Sequence, residues 1–211
     1  MAERTEFRIR TATVADAQSI VDAFDSTLPY LASIGSEGQW GLVPFSERPG
    51  FLDDMAKSLE QARVWQETHE GDSNIIFAAE VVGPASTEAT VPAGFAQIHE
   101  DKFSEYLYKQ ANIQAVDLTK LSNFVFLEVL LVHFGTGYHK GAGTALVQHV
   151  KRYGLEKGKD AVYVDCWSGN NRQLVGYYER QGFVTVEDFA FPRENKTPWI
   201  GTLLRMDLTK A

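Results

Sequence analysis

The sequence holds one cysteine, Cys166, in 211 residues, so no internal disulfide can form. Its apolar surroundings, AVYVDCW, give it the character of a small core residue. Basic residues are also scarce: 20 Lys and Arg against 28 Asp and Glu leave a net charge of -8. That balance excludes a general nucleic-acid binder, whose phosphate contacts need cationic side chains. No apolar run reaches membrane-spanning length, and the opening MAERTEFRIR lacks the apolar centre of a secretory signal. The expectation is a cytoplasmic protein with neither nucleic acid nor membrane as partner.

What the chain does contain is core material, 44% hydrophobic and 12% aromatic, enough for a single domain over residues 1–211. Glu6–Arg10 alternates apolar and charged residues, the period of a half-exposed strand. Thr13, with Asp16 three residues on, resembles a capping box opening a helix through Ala17, Ile20, Val21 and Phe24. Leu28–Gly50, rich in Gly and Pro, reads as a loop holding Tyr30, Trp40 and Phe45. Phe51–His69 has helical spacing, and Asn74–Val82 and Ala93–His99 read as strands joined by a polar connection. Lys102–Leu121 is a partly helical insertion. Beyond it, Ala161–Trp167 is a strand and Arg172–Gln181 a helix stopped by Gly182; Phe183–Phe189 and Gly201–Leu208 are strands around a Pro-containing loop. The order βααββ, insertion, βαβα, ββ predicts an α/β (α+β) domain around a mixed sheet.

The stretch Phe124–Thr144, FVFLEVLLVHFGTGYHKGAGT, organises the rest. A buried strand ends in a turn with Gly135, Gly137, Gly141 and Gly143, and a helix with Leu146, Val150 and Tyr153 on one face follows. Glycines let backbone N–H groups approach a ligand, and a helix N-terminus favours anions, so pyrophosphate suits this turn. On the glycines alone, a ligand-free flexible turn is the alternative. No Gly-Lys-Ser/Thr closes the turn, which excludes a Walker loop; Lys140 stands where a dinucleotide fingerprint needs its third glycine.

Two motifs then carry a family resemblance. Tyr138-His139-Lys140-Gly141-Ala142-Gly143 matches the glycines of the phosphate motif of the GNAT (GCN5-related N-acetyltransferase) superfamily. Asn171, Tyr178, Glu179, Arg180, Gly182 and Phe183 match its later motif. Tyr138 departs from the usual Gln or Arg, and the link from Val132 to Gly141 is one residue longer than in many members. The resemblance implies a mixed, mostly antiparallel central sheet of about six to seven strands flanked by helices, with an insertion between the third and fourth strands. It implies acetyl-CoA as cosubstrate and no metal. The backbone amides of His139, Lys140, Gly141, Ala142, Gly143 and Thr144 would hold the pyrophosphate. Leu131 and Val132 would pair their backbones with the pantetheine arm, and Asn171 would contact it.

Acetyl transfer to an amine needs a proton acceptor, because an alkylamine with a pKa of about 10.4 must be deprotonated before attack. It also needs a proton for the departing thiolate, and the resemblance gives that role to Tyr178. Glu128, the only charged residue in Phe124–Val132, is the first choice of base; His133, His99 and Asp165 are its rivals. Family topology places Tyr30, Trp40 and the insertion beside the acceptor. The expected function is N-acetylation of a small-molecule amine, a cationic one given the acidic chain, by direct attack on the thioester. A protein or peptide amine as acceptor, and a non-catalytic acyl-CoA sensor, are the competing readings. A homodimer is left open.

Overall fold

The structure, a computed structural model, describes residues 6–82, 90–110, 113–193 and 196–208. Its elements run β1 (Phe7–Thr11), α1 (Ala17–Ser33), α2 (Phe51–Thr68), β2 (Asn74–Val82), β3 (Thr90–Glu100), α3 (Glu105–Tyr108) and β4 (Phe124–Val132). Then follow α4 (Ala142–Glu156), β5 (Ala161–Trp167), α5 (Gly169–Arg180), β6 (Val184–Arg193) and β7 (Lys196–Asp207). The strands form one seven-stranded sheet ordered β1-β2-β3-β4-β5-β7-β6. Every neighbouring pair is antiparallel except β4 and β5. This is the mixed, mostly antiparallel sheet that the family resemblance implies. Among the described residues no helix is long and apolar enough to cross a membrane.

Alternation along the strands commits both faces to cores. On one face Val125, Leu127, Val162 and Val164 pack with Leu146, Val150, Val175 and Tyr178 of α4 and α5. The other face is divided. Ile76, Ala78, Phe95 and Leu131 meet α1 and α2, whereas Phe124, Phe126 and Tyr163 meet Phe103, Leu107 and Leu118 of the insertion.

A β-bulge breaks the alternation inside β4. Gln97 of β3 pairs with Val129 and Ile98 with Leu127, so Glu128 is the extra residue. Before it, odd-numbered residues face α4 and α5; after it, Val129 and Leu131 face α1 and α2. The parallel pairing of β4 with β5 ends beside the bulge, at Leu127↔Val164. From there β5 pairs only with β7, and the sheet forks.

Several boundaries differ from the sequence reading. The helix opened by Thr13 continues through Pro29 to Ser33, so Tyr30 is helical rather than part of a loop. Proline removes one N–H but its φ suits a helix, and Thr27 anchors this turn by donating to the carbonyls of Ala23 and Val132. β6 and β7 run through the Pro-containing segment as a long hairpin, because Pro192 and Pro198 sit on strands at the sheet margin. Residues 83–89 of the connection between β2 and β3 lie outside the described residues. The capping expectation at Thr13 fits: its N–H donates to the Asp16 carboxylate at 2.7 Å. Asp16 is also gripped by Arg10, at 2.7 and 2.8 Å, and Arg10 reaches Glu80 at 2.7 Å.

Candidate active site

The fork creates a cavity through the sheet. Glu128 and Asp165 are the first residues beyond the last parallel pair, on the strands that diverge. Parity on β5 places Asp165 on the face of Ala161 and Tyr163, opposite Val164 and Cys166. Both carboxylates line a cavity of about 380 Å³. On their side its walls are Gln39, Trp40, Tyr106, Phe191 and Trp199; from the α5 side come Leu130, Cys166, Leu174 and Tyr178. The Trp199 indole N–H donates to the Gln39 carbonyl at 3.1 Å, tying the β6–β7 hairpin to the segment after α1.

Glu128 is held by two donors. His99 Nε2 lies 2.8 Å from its Oε2, and the Ser104 hydroxyl donates to Oε1. His99 Nδ1 is buried with no partner among the described residues. Burial alone would raise the Glu128 carboxyl. The hydrogen bond and charge of His99, the Ser104 hydroxyl and the Lys102 charge outweigh it and hold Glu128 below its ordinary range. Asp165 goes the other way. Burial and then the Glu128 charge push it up to about 7, against the lowering effect of the Tyr106 hydroxyl.

Tyr178 is 4% exposed and lines the cavity, yet its hydroxyl has no hydrogen-bond partner among the described residues. Its ring is fixed edge-on against Tyr177 and Phe183, with centroids at 5.2 and 5.5 Å. Burial, and after it the neighbouring ionisable groups of Cys166, Tyr177 and Asp165, hold its phenol well above the ordinary value, so it stays protonated. The Cys166 thiol is likewise pushed up, by burial and by Asp165.

The glycine turn lies at the far end of β4. Gly141 is the N-cap of α4 at φ +90°, a left-handed conformation that glycine adopts without strain. Ala142 N–H turns back to the His139 carbonyl at 3.1 Å and Ala145 N–H to Gly141, while those of Gly141, Gly143 and Thr144 find no backbone acceptor among the described residues. His139 Nδ1 is buried and unpartnered in the same turn. Gly143 is required by a close approach: a Cβ there would stand 2.9 Å from the Tyr177 hydroxyl. Free amides at a helix start fit a pyrophosphate.

The backbone of β4 needs one correction. His133 N–H donates to Ala93 O at 2.9 Å while Val132 faces Gly94, so Val132 is a non-hydrogen-bonded pair with β3. Antiparallel ladders alternate, which turns the N–H and C=O of Leu131 toward Phe95 and those of Leu130 and Val132 into the fork. Leu130 and Val132, not Leu131, offer a free strand edge, although the Val132 carbonyl also accepts from Thr27 at 3.2 Å. Parity was readable in the sequence only if the bulge was known.

Other expected residues scatter. Trp40 lines the cavity, as does Tyr106 of the insertion. Tyr30 does not: its ring stacks on Phe134, 4.3 Å away, beside the glycine turn. His133, with Nδ1 3.5 Å from Ser26 Oγ, is outside the cavity. Asn171 is exposed, within a left-handed turn at Asn170–Arg172 that opens α5. Its neighbour Asn170 went unremarked in the sequence, yet its amide donates to Ile34 O at 2.5 Å and Ser36 Oγ at 2.9 Å, fixing α5 to the end of α1.

Comparison with known proteins agrees with this layout. Residues 52–183 match the model of the acetyltransferase (GNAT) family. No curated protein matches the sequence. A GNAT-family acetyltransferase from Listeria monocytogenes superposes with a TM-score of 0.60 at 20% identity, covering 97% of this chain and 96% of the other. YncA of Salmonella typhimurium, a proposed acetyltransferase solved with acetyl-CoA, gives 0.59 at 14% identity over 97% and 95%. The PaiA N-acetyltransferase of Thermoplasma acidophilum, solved with coenzyme A, gives 0.51 at 13% over 96% and 99%. Those likenesses show the fold; the family model covers more than half of the chain, and the protein belongs to the GNAT family of acetyltransferases.

Proposed function

We propose that the protein is an acetyl-CoA-dependent N-acetyltransferase that acetylates a small-molecule amine by direct attack on the thioester. The observation that carries this reading is the cavity through the forked sheet, lined by carboxylates on one side and by Tyr178 on the other. Acetyl-CoA supplies the acetyl group in thioester form. The amides of Gly141, Gly143 and Thr144, with His139, Lys140 and Ala142 shaping the turn, would bind its pyrophosphate. The free edge of Leu130 and Val132 would align the pantetheine arm, and Asn171 at the start of α5 would contact it.

On the other face the Glu128 carboxylate attracts the acceptor ammonium and takes its proton at Oε1 or Oε2, directly or through water. His99 and Ser104 restrict that carboxylate to one orientation. Tyr178 keeps its proton on Oη and gives it to the departing sulfur. The Cys166 thiol, held protonated, is unsuited to an acyl-enzyme route, which supports direct attack. A cavity of about 380 Å³ lined largely by aromatic and apolar side chains is of the size that takes a small molecule.

The test is release of free thiol from acetyl-CoA across a panel of small amines and lysine peptides. Turnover confined to small amines sustains the proposal. Turnover confined to peptides selects a protein substrate, and binding of acetyl-CoA without amine-dependent release selects a sensor.

A further inference from the structure

From the charges and rings that build the cavity, we infer that its acceptor is a carboxylate-free polycationic amine of the α,ω-diamine type. This rests on the acetyltransferase reading and narrows its substrate. Three independent features of one enclosure converge.

The first is its charge inventory. Glu128 and Asp165 are its ionisable acids, and no Lys or Arg is among the described residues that line it. An amino acid would bring a carboxylate into a cavity that two others already line, with no Lys or Arg among the described lining residues to pair it. A buried unpaired charge of that kind is strongly disfavoured. A dication instead matches the floor: one nitrogen is presented to Glu128 beside the fork, and the other stays charged.

The second is the wall. Trp40, Tyr106, Trp167, Phe191 and Trp199 ring the carboxylates. Aromatic faces attract ammonium groups while packing against a methylene chain. Their placement is fixed from elsewhere in the fold. Trp40 packs on Phe24 with centroids 5.2 Å apart, and Trp199 is held by its bond to Gln39.

The third is Tyr178, buried, without a hydrogen-bond partner among the described residues, and lining the same space. Its hydroxyl marks the end at which the reacting nitrogen must arrive. The nitrogen that does not react then lies among the aromatic side chains that share the cavity with Asp165.

The experiment compares 1,4-diaminobutane with 2,5-diaminopentanoate and 1-aminobutane on the wild-type protein. The first has the same chain and nitrogens as the second without the carboxylate, and one nitrogen more than the third. The expected kcat/KM for the diamine exceeds each of the others by at least about tenfold. Asp165→Asn is expected to erase the diamine's advantage over 1-aminobutane. Equal rates for the diamine and the amino acid, or for the diamine and the monoamine, would overturn the inference.

A binding measurement separates this failure from that of the broader reading. Trp40, Trp167 and Trp199 report occupancy by fluorescence without acetyl-CoA. Quenching by 1,4-diaminobutane but not by 2,5-diaminopentanoate sustains the inference even if no amine is turned over. Absence of any diamine response up to about 10 mM would sink it.

Discussion

Glu128 and Asp165 stand across the fork from one another, each the first residue past the pair Leu127↔Val164. Strands part from a separation of about 5 Å at such a point, so two carboxylates share one enclosure. The environment sorts them. Glu128 has donors that hold it below its ordinary range, while desolvation and the Glu128 charge push Asp165 up to about 7. Two like groups with divided tasks are a recurring way to bind and move a proton in one pocket.

That division predicts a pH effect on acceptor binding. Tyr106 from the insertion, Glu128 from β4, Cys166 on β5 and Tyr178 of α5 are titratable groups around Asp165. A cation favours the ionised form, so KM for a diamine should fall as pH rises through about 7. Asp165→Asn should lose that limb. Initial rates at several pH values, with acetyl-CoA saturating, provide the check.

The same carboxyl should cost stability. Its folded value of about 7 stands above the ordinary 3.8, so the native state holds the extra proton between those values. Stability contributed by this group is therefore full at acid pH and declines as pH rises through about 7. Asp165→Asn should raise the melting temperature at pH 8, by up to about 4 kcal/mol in stability, and do little at pH 4. Thermal denaturation at the two pH values would show it.

Tyr178→Phe removes only the hydroxyl and leaves the ring against Tyr177 and Phe183. If that hydroxyl returns the proton to sulfur, kcat should drop by about 10² or more with acetyl-CoA affinity unchanged. Calorimetry and thiol release measured together settle the point; an unaltered kcat removes Tyr178 from the role.

Arg10 ties Asp16 to Glu80, carboxylates only 7% and 3% exposed. Arg10→Met would leave two nearly buried charges without their partner and should cost about 3 kcal/mol. Burial opposes the ionised Asp16, but Arg10 and Thr13 more than offset it and lower its pKa. Its stabilisation is thus present above the ordinary value of 3.8 and lost as pH falls through the lower folded value. Urea unfolding of the variant at neutral and acid pH should converge with that of the parent at the acid end.

Gly141→Ala places a side chain at φ +90°, with Phe7 only 3.4 Å from the new Cβ. The strain, of order 1–2 kcal/mol, falls on the turn that aims the free amides. Acetyl-CoA should bind about tenfold more weakly, with a smaller change in melting temperature.

Much of this was legible in the chain. The apolar run, the glycines and the amphipathic helix after them gave β4, the turn and α4, since each follows from local preference. Tyr178 could be picked out because its motif is local too. Other features were not. The bulge at Glu128 depends on register with β3, which no single strand encodes. Asp165 gains its character from Tyr106 and Glu128, distant in sequence but close in space. Pro29 suggested a helix end, and only packing of Thr27 on β4 shows why the helix continues. Tyr30 was consequently assigned to the acceptor side when it belongs beside Phe134.

The gap in the sheet has a kinetic corollary. A cavity lined from both faces of the sheet gives each reactant a side of its own, so neither must leave before the other arrives. Reciprocal plots of initial rate should intersect rather than run parallel, and a dead-end analogue of the amine should compete with the amine alone. The fork thus writes the order of events, or rather the lack of a forced one, into the hydrogen-bonding pattern of two strands.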